Sequence, residues 1–140
     1  MSEAITVELK NSLSEIERLA QIVDEFGARH QIEAQIVFNM NLALEEILTN
    51  VISYGYDDAG EHRIITRLSL ERGEWTAEVE DDGKPFNPLE APEPDTKRSL
   101  EERAIGGLGI YLAKKIMDEL EYRRNQDKNL LIMRKRVKGT

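Results

Sequence analysis

Hydrophobic and polar positions along the chain change period several times, and each change marks an element. In "AITVELK", residues 4–10, Ile5, Val7 and Leu9 alternate with Thr6, Glu8 and Lys10, the pattern of a half-buried strand. "NSLSEIERLAQIVDEFG" then turns to helical spacing, with Leu13, Ile16, Leu19, Val23 and Phe26 in one stripe. Ser12 and Glu15 predict a capping box at its start, and Gly27 predicts its end. A second helix is expected from about Glu33 to Ser53, with Ile36, Met40, Ala43, Ile47 and Val51 facing the core. "YGYDDAGEH" breaks the pattern with turn formers. "RIITRLSLE" and "EWTAEVED" return to period two and are separated only by a short turn near Gly73, which predicts a hairpin.

The stretch 87–105, "NPLEAPEPDTKRSLEERAI", carries Pro88, Pro92 and Pro94, many charges and few apolar residues. Loops of that length within a domain are usually functional or disordered. A third helix follows in "AIGGLGIYLAKKIMDEL", with Leu108, Leu112, Ile116 and Leu120 on one face, and "NLLIMRKRV" closes the chain as a strand. The order β-α-α-β-β-(loop)-α-β predicts an α+β fold, an α/β sandwich with helices on one face of a mixed, mainly antiparallel sheet. Neither a repeat nor a linker interrupts it, so residues 1–140 are expected to form a single domain.

Composition narrows the function. With 40% apolar and 33% charged residues the chain reads as soluble and globular, and without cysteine it has no thiolate metal site. No apolar run reaches spanning length and "MSEAITVELK" is not a signal peptide, so a cytoplasmic protein that does not enter membranes is expected. The net charge of −8 argues against direct nucleic-acid binding. From Arg123 onward, however, seven bases face the single acid Asp127. That end reads as an edge strand protected by its charges, or as a docking surface for an acidic protein. His30 and His62 lie far apart, in no ligand-spaced motif.

Three places could carry chemistry. Glu46 and Asn50 are four residues apart and share a helical face. They form either a solvated polar face or a carboxylate and an amide oxygen facing one site, where the amide suits a hard cation such as Mg²⁺ and the carboxylate a proton transfer. Asp81 continues the inward row Trp75, Ala77, Val79 and therefore needs a partner, from the backbone of its own turn or from a ligand amine that Gly83 lets come close. "GGLG", residues 106–109, opens a helix with bare backbone N–H groups. It matches neither a P-loop nor a dinucleotide fingerprint, but a helix terminus of this kind accepts phosphate.

The combination "EILTN", "DDGKP", a long polar loop and "GGLG" resembles the Bergerat-type (GHKL) ATP-binding fold shared by gyrase and the histidine kinases. The phrases "EEILTNVISYGY", "DDGKPFNP" and "GGLGIYLAKKIMDELEY" are most similar to the anti-sigma-factor serine kinases, and the resemblance runs from about Ile5 to Val137. It implies ATP and Mg²⁺ as cofactors, with Glu46 as general base and Asn50 as metal ligand. It further implies that Asp81 accepts the adenine amine beside Gly83, and that the backbone of Gly106, Gly107, Leu108 and Gly109 wraps the phosphates. Residues from about 87 to 105 would form a lid, with Arg103 a phosphate or partner contact. The implied partners are a sigma factor, which is sequestered, and an anti-anti-sigma antagonist, which is phosphorylated on serine.

The chain departs from the pattern in two places. Pro85 replaces a glycine, and Leu131 is expected where a threonine often supports the adenine-binding aspartate. That second departure motivates an alternative: nucleotide-gated partner binding without phosphoryl transfer. A free-standing histidine-kinase domain is a third reading, weakened because no helical hairpin with a phospho-accepting histidine precedes the domain. The first strand could pair at its edge with a second copy, which leaves a homodimer open.

Overall fold

A computed structural model of the chain describes residues 3–85, 87 and 107–137. The elements run β1 (Glu3–Lys10), α1 (Ser14–Arg29), α2 (Ala34–Tyr54), β2 (Arg63–Glu71), β3 (Glu74–Asp81), α3 (Gly107–Ile116), β4 (Glu119–Asn125) and β5 (Lys128–Arg136). The five strands form one antiparallel sheet in the order β1-β2-β3-β5-β4. Directly opposed residues share a face of a sheet. The register sets Val7 opposite Thr66, Thr66 opposite Val79 and Val79 opposite Leu131, while Leu68 opposes Ala77 and Ala77 opposes Met133. All of these are buried. They meet Leu19, Val23 and Phe26 of α1 and Met40, Ala43, Leu44, Ile47 and Leu48 of α2 in one core, where Phe26 stacks on Trp75 at 5.7 Å. The other face is dominated by charge, with Arg67 near Glu78 and Glu80, and Arg134 near Glu121. This is the expected α+β architecture. Arg72 and Gly73 turn β2 into β3 with φ of 52° and 77°, the conformation that matches the twist of paired strands.

Four local expectations need correction. "ELEYRRN" is strand β4, although the sequence pattern runs the third helix on to Leu120. Leu120 satisfies both periods, four residues after Ile116 and two before Tyr122, and its strand partner Met133 decides between them. The helix is left behind at Asp118, whose N–H donates to the Arg134 carbonyl. The Ser12–Glu15 capping box does not form, because Glu15 Oε1 accepts from the Lys10 N–H and Leu13 becomes the N-cap. Gly27 does not end α1. It is buried within it, because a Cβ there would lie 2.5 Å from Val37 Cγ2 of α2, so the residue serves helix packing. Lastly, the basic C-terminal end is largely engaged within the fold: Arg123 and Arg134 pair with Glu121, Lys135 pairs with Asp118, and Arg124 binds backbone. These pairings weigh against an acidic-protein dock, but the edge-strand reading holds only for β4 with Arg123 and Arg124, because β5, which carries Lys128, Arg134, Lys135 and Arg136, runs between β3 and β4.

Candidate active site

The C-terminal half of α2 supplies one wall of a cavity of about 370 Å³. Ile47, Asn50, Val51 and Tyr54 recur at three- and four-residue spacing and so face the same way. The sheet supplies the floor through Val79 and Asp81 of β3, Leu131 and Asn129 of β5 and Tyr122 of β4. Gly55, Lys84 and Pro85 close one end. The cavity is mostly apolar with a few polar groups, the usual make-up of a small-molecule site.

Asp81 is 5% exposed, at the end of its strand. Its Oδ1 accepts from the Gly83 N–H at 2.8 Å and from Asn129 Nδ2 at 3.0 Å. Oδ2 has no hydrogen-bond partner among the described residues. Burial pushes the carboxyl above its ordinary value, and the Asn129 and Gly83 bonds oppose that. Gly83 packs so tightly that a Cβ would lie 2.6 Å from the Gly55 carbonyl oxygen. The Lys84 N–H donates to that same oxygen at 2.7 Å, fastening the turn after β3 to the end of α2.

Asn50 is 8% exposed. Its Nδ2 donates to the Glu46 carbonyl at 2.9 Å, one turn back, so the side-chain oxygen is the atom left for a ligand. The half-buried Glu46 carboxylate has no hydrogen bond or ion pair among the described residues. Burial raises its affinity for a proton, and the charge of Glu45 adds to this. Glu46 stands just outside the cavity lining, one turn along α2 from Asn50. Gly107, Leu108 and Gly109 form the first turn of α3, which packs against α2. The first turn of a helix leaves its N–H groups without partners inside the helix. Gly106, Arg103 and nearly all of the expected lid at 87–105 lie outside the described residues.

The profile of the histidine kinase-like ATPase domain matches residues 9–135, nearly the whole chain. The chain belongs to the histidine kinase-like ATPase family. Within it, the chain is 32% identical over 114 residues to an anti-sigma F factor from a Thermoanaerobacter species, covering 79% of this chain and 77% of that one. It is 26% identical over 132 residues to the serine/threonine-protein kinase BtrW of Bordetella bronchiseptica, covering 94% of this chain and 93% of the relative. A solved structure of RsbU and RsbW domains from Mycobacterium tuberculosis superposes with a TM-score of 0.70 at 14% identity, over 96% of this chain and 32% of that one. That likeness speaks for the fold, and this chain spans about a third of that protein.

This family member carries donors and acceptors that fit a magnesium nucleotide. Among the described residues, a buried carboxylate oxygen without a partner suits a base amine, an amide oxygen without a partner suits a hard cation, and the cavity of about 370 Å³ has room for a ring. One sequence expectation changes. The residue that supports Asp81 is Asn129, directly across the β3–β5 ladder, whereas Leu131 opposes Val79. Asn129, Tyr122, Arg124, Gly55 and Lys84 were not legible as site residues in the sequence. The inward parity of Leu131 and Met133 extends to Asn129, but only the register puts it opposite Asp81.

Proposed function

We propose that the chain is an ATP-dependent anti-sigma-factor serine kinase. It would hold a sigma factor and phosphorylate a serine of that factor's antagonist. The observation that carries this reading is the half-buried Glu46 carboxylate, without a partner among the described residues, one helical turn from Asn50. The names of the relatives support it: a serine/threonine-protein kinase and anti-sigma F factors.

In this reading Asp81 accepts the exocyclic amine of adenine through Oδ2, and Gly83 keeps the turn after β3 seated against Gly55 beside it. Asn50 would hold Mg²⁺ through its side-chain oxygen, and the ion would supply positive charge against the phosphates. The N–H groups of Gly107, Leu108 and Gly109, continued by Gly106, would bind the phosphates, with Arg103 as a cationic contact and residues 87–105 as the lid over them. Glu46 takes the proton of the attacking serine hydroxyl as its oxygen bonds to the γ-phosphorus and ADP departs. Little more than position and charge is required of the protein for phosphoryl transfer. We place the protein in the cytoplasm as a single domain; no helix among the described residues is long and apolar enough to cross a membrane. The outer edge of β1 is unpaired among the described strands and could join a second copy, which a solution mass would test.

Radiolabelled ATP and a candidate antagonist protein provide the assay. Transfer to a serine of the antagonist, abolished by Glu46→Ala, is the expected result. Tight nucleotide binding with partner release but no transfer would instead select the nucleotide-gated regulator.

A further inference from the structure

The turn after β3 is held by Asn129 and Arg124 of the β4–β5 hairpin, and Tyr122 of the same hairpin holds Asn129. Asn129 Nδ2 donates to Asp81 Oδ1 at 3.0 Å and to the Lys84 carbonyl at 2.8 Å. The Tyr122 hydroxyl donates to Asn129 Oδ1 at 2.5 Å. Arg124 Nη1 donates to the Gly83 carbonyl at 2.9 Å. Asn129 is buried and lies opposite Asp81 in the register. Both ends of its amide are therefore committed. Turned over, it would set its oxygen against a carboxylate and a carbonyl, so the network dictates its orientation.

We propose that Asn129, oriented by Tyr122, is a positioning residue that loads Oδ1 of Asp81 and leaves Oδ2 as the acceptor for the nucleotide base. The proposal rests on the reading of Asp81 as the adenine contact. Two donors on one oxygen fix the carboxylate plane, and the second oxygen of Asp81 is then left without a partner among the described residues. The same bond has an electrostatic consequence. Burial favours the protonated acid, and the amide of Asn129 is the largest opposing influence. Asp82 adds to the effect of burial, and Arg124 of β4 opposes it. Tyr56, in the segment after α2, also feels the Asp81 charge. An ionised carboxylate accepts a shorter, stronger hydrogen bond than a neutral acid. Loss of the Asn129 donor should thus weaken base binding most at the acid end of the pH range.

The test is calorimetric titration of ATP with Mg²⁺ from pH 5 to 8 into wild type, Asn129→Leu, Tyr122→Phe and Asp81→Asn, with thermal melts alongside. Asn129→Leu is expected to weaken binding about tenfold at pH 7, the scale of one hydrogen bond to a charged group. Its acid limb of affinity should move to higher pH. Tyr122→Phe, which keeps the ring in the cavity wall, should show the same displacement with a smaller loss and a cooperative melt. If Asn129→Leu does not fold, Tyr122→Phe decides alone. A wild-type acid limb in the folded variants, with Asp81→Asn unable to bind, overturns the role of Asn129 and leaves the Asp81 reading standing. Wild-type binding by Asp81→Asn overturns that reading and the proposal with it.

Discussion

Gly83→Ala probes the joint between α2 and the turn after β3. The added Cβ would lie 2.6 Å from the Gly55 carbonyl oxygen, 3.2 Å from its carbon and 3.0 Å from Asp81 Oδ1. The oxygen is not free to retreat. It accepts the Lys84 N–H at 2.7 Å, and the Gly55 N–H is itself tied to the Val51 carbonyl at 2.8 Å. Relief must come from shifting the turn, which carries Asp81 with it, or from fraying the last turn of α2, which carries Asn50. Overpacking of this kind costs about 1–3 kcal/mol. Borne wholly by the ligand-binding conformation, that is about 5- to 150-fold in ATP affinity. Borne by the fold, it lowers the urea midpoint of the ligand-free protein. Calorimetric ATP titration and urea unfolding of the same preparation measure the two shares, whose sum should fall in that range. An affinity within twofold of wild type together with an unchanged midpoint would refute the claim that backbone contact at Gly83 holds the site.

Glu46→Gln should slow phosphoryl transfer by about 10²–10⁴-fold with ATP affinity changed only slightly, as seen by comparing transfer rate and calorimetry. Because burial and then Glu45 raise the Glu46 carboxyl above its ordinary value, transfer should fail on acidification at a higher pH than an exposed glutamate would give; Glu45→Gln should move that limb down. Thr66 is fully buried with its hydroxyl unpartnered among the described residues, so Thr66→Val should raise stability by about 1 kcal/mol in urea unfolding. Gly27→Ala gains about 1 kcal/mol of helix propensity but meets Val37 Cγ2 at 2.5 Å, so it should destabilise by roughly 1–2 kcal/mol, and a Val37→Ala background should reverse the sign. His62 bonds Asp58 and Asp82, and the Asp58 bond foremost raises its proton affinity. A group raised in this way stabilises fully below its unfolded value and loses the contribution as pH rises through its folded value. His62→Gln should therefore flatten the fall of stability seen on raising the pH from about 6 to 8.

What the sequence alone determined was whatever depends on a residue and its near neighbours. Period-two alternation placed β1, β2 and β3 within a residue of their observed bounds, and the 3.6-residue stripe placed α2 within one. The i,i+4 spacing of Glu46 and Asn50 and the inward parity of Asp81 follow from helix and strand geometry, so they too could be read before any fold was known. The tertiary structure decided whatever depends on pairing across the chain. Leu120 fits a helix and a strand equally until Met133 opposes it. Gly27 looks like a helix stop until Val37 of the next helix claims its space. Asn129 is 48 residues from Asp81 and becomes its partner only through the register of β3 with β5. Local periodicity carries no record of register, because any even shift of a strand keeps the same residues inward. Fold and motifs were therefore legible in the sequence, whereas the side chains that hold Asp81 in place became visible only once the strands were aligned.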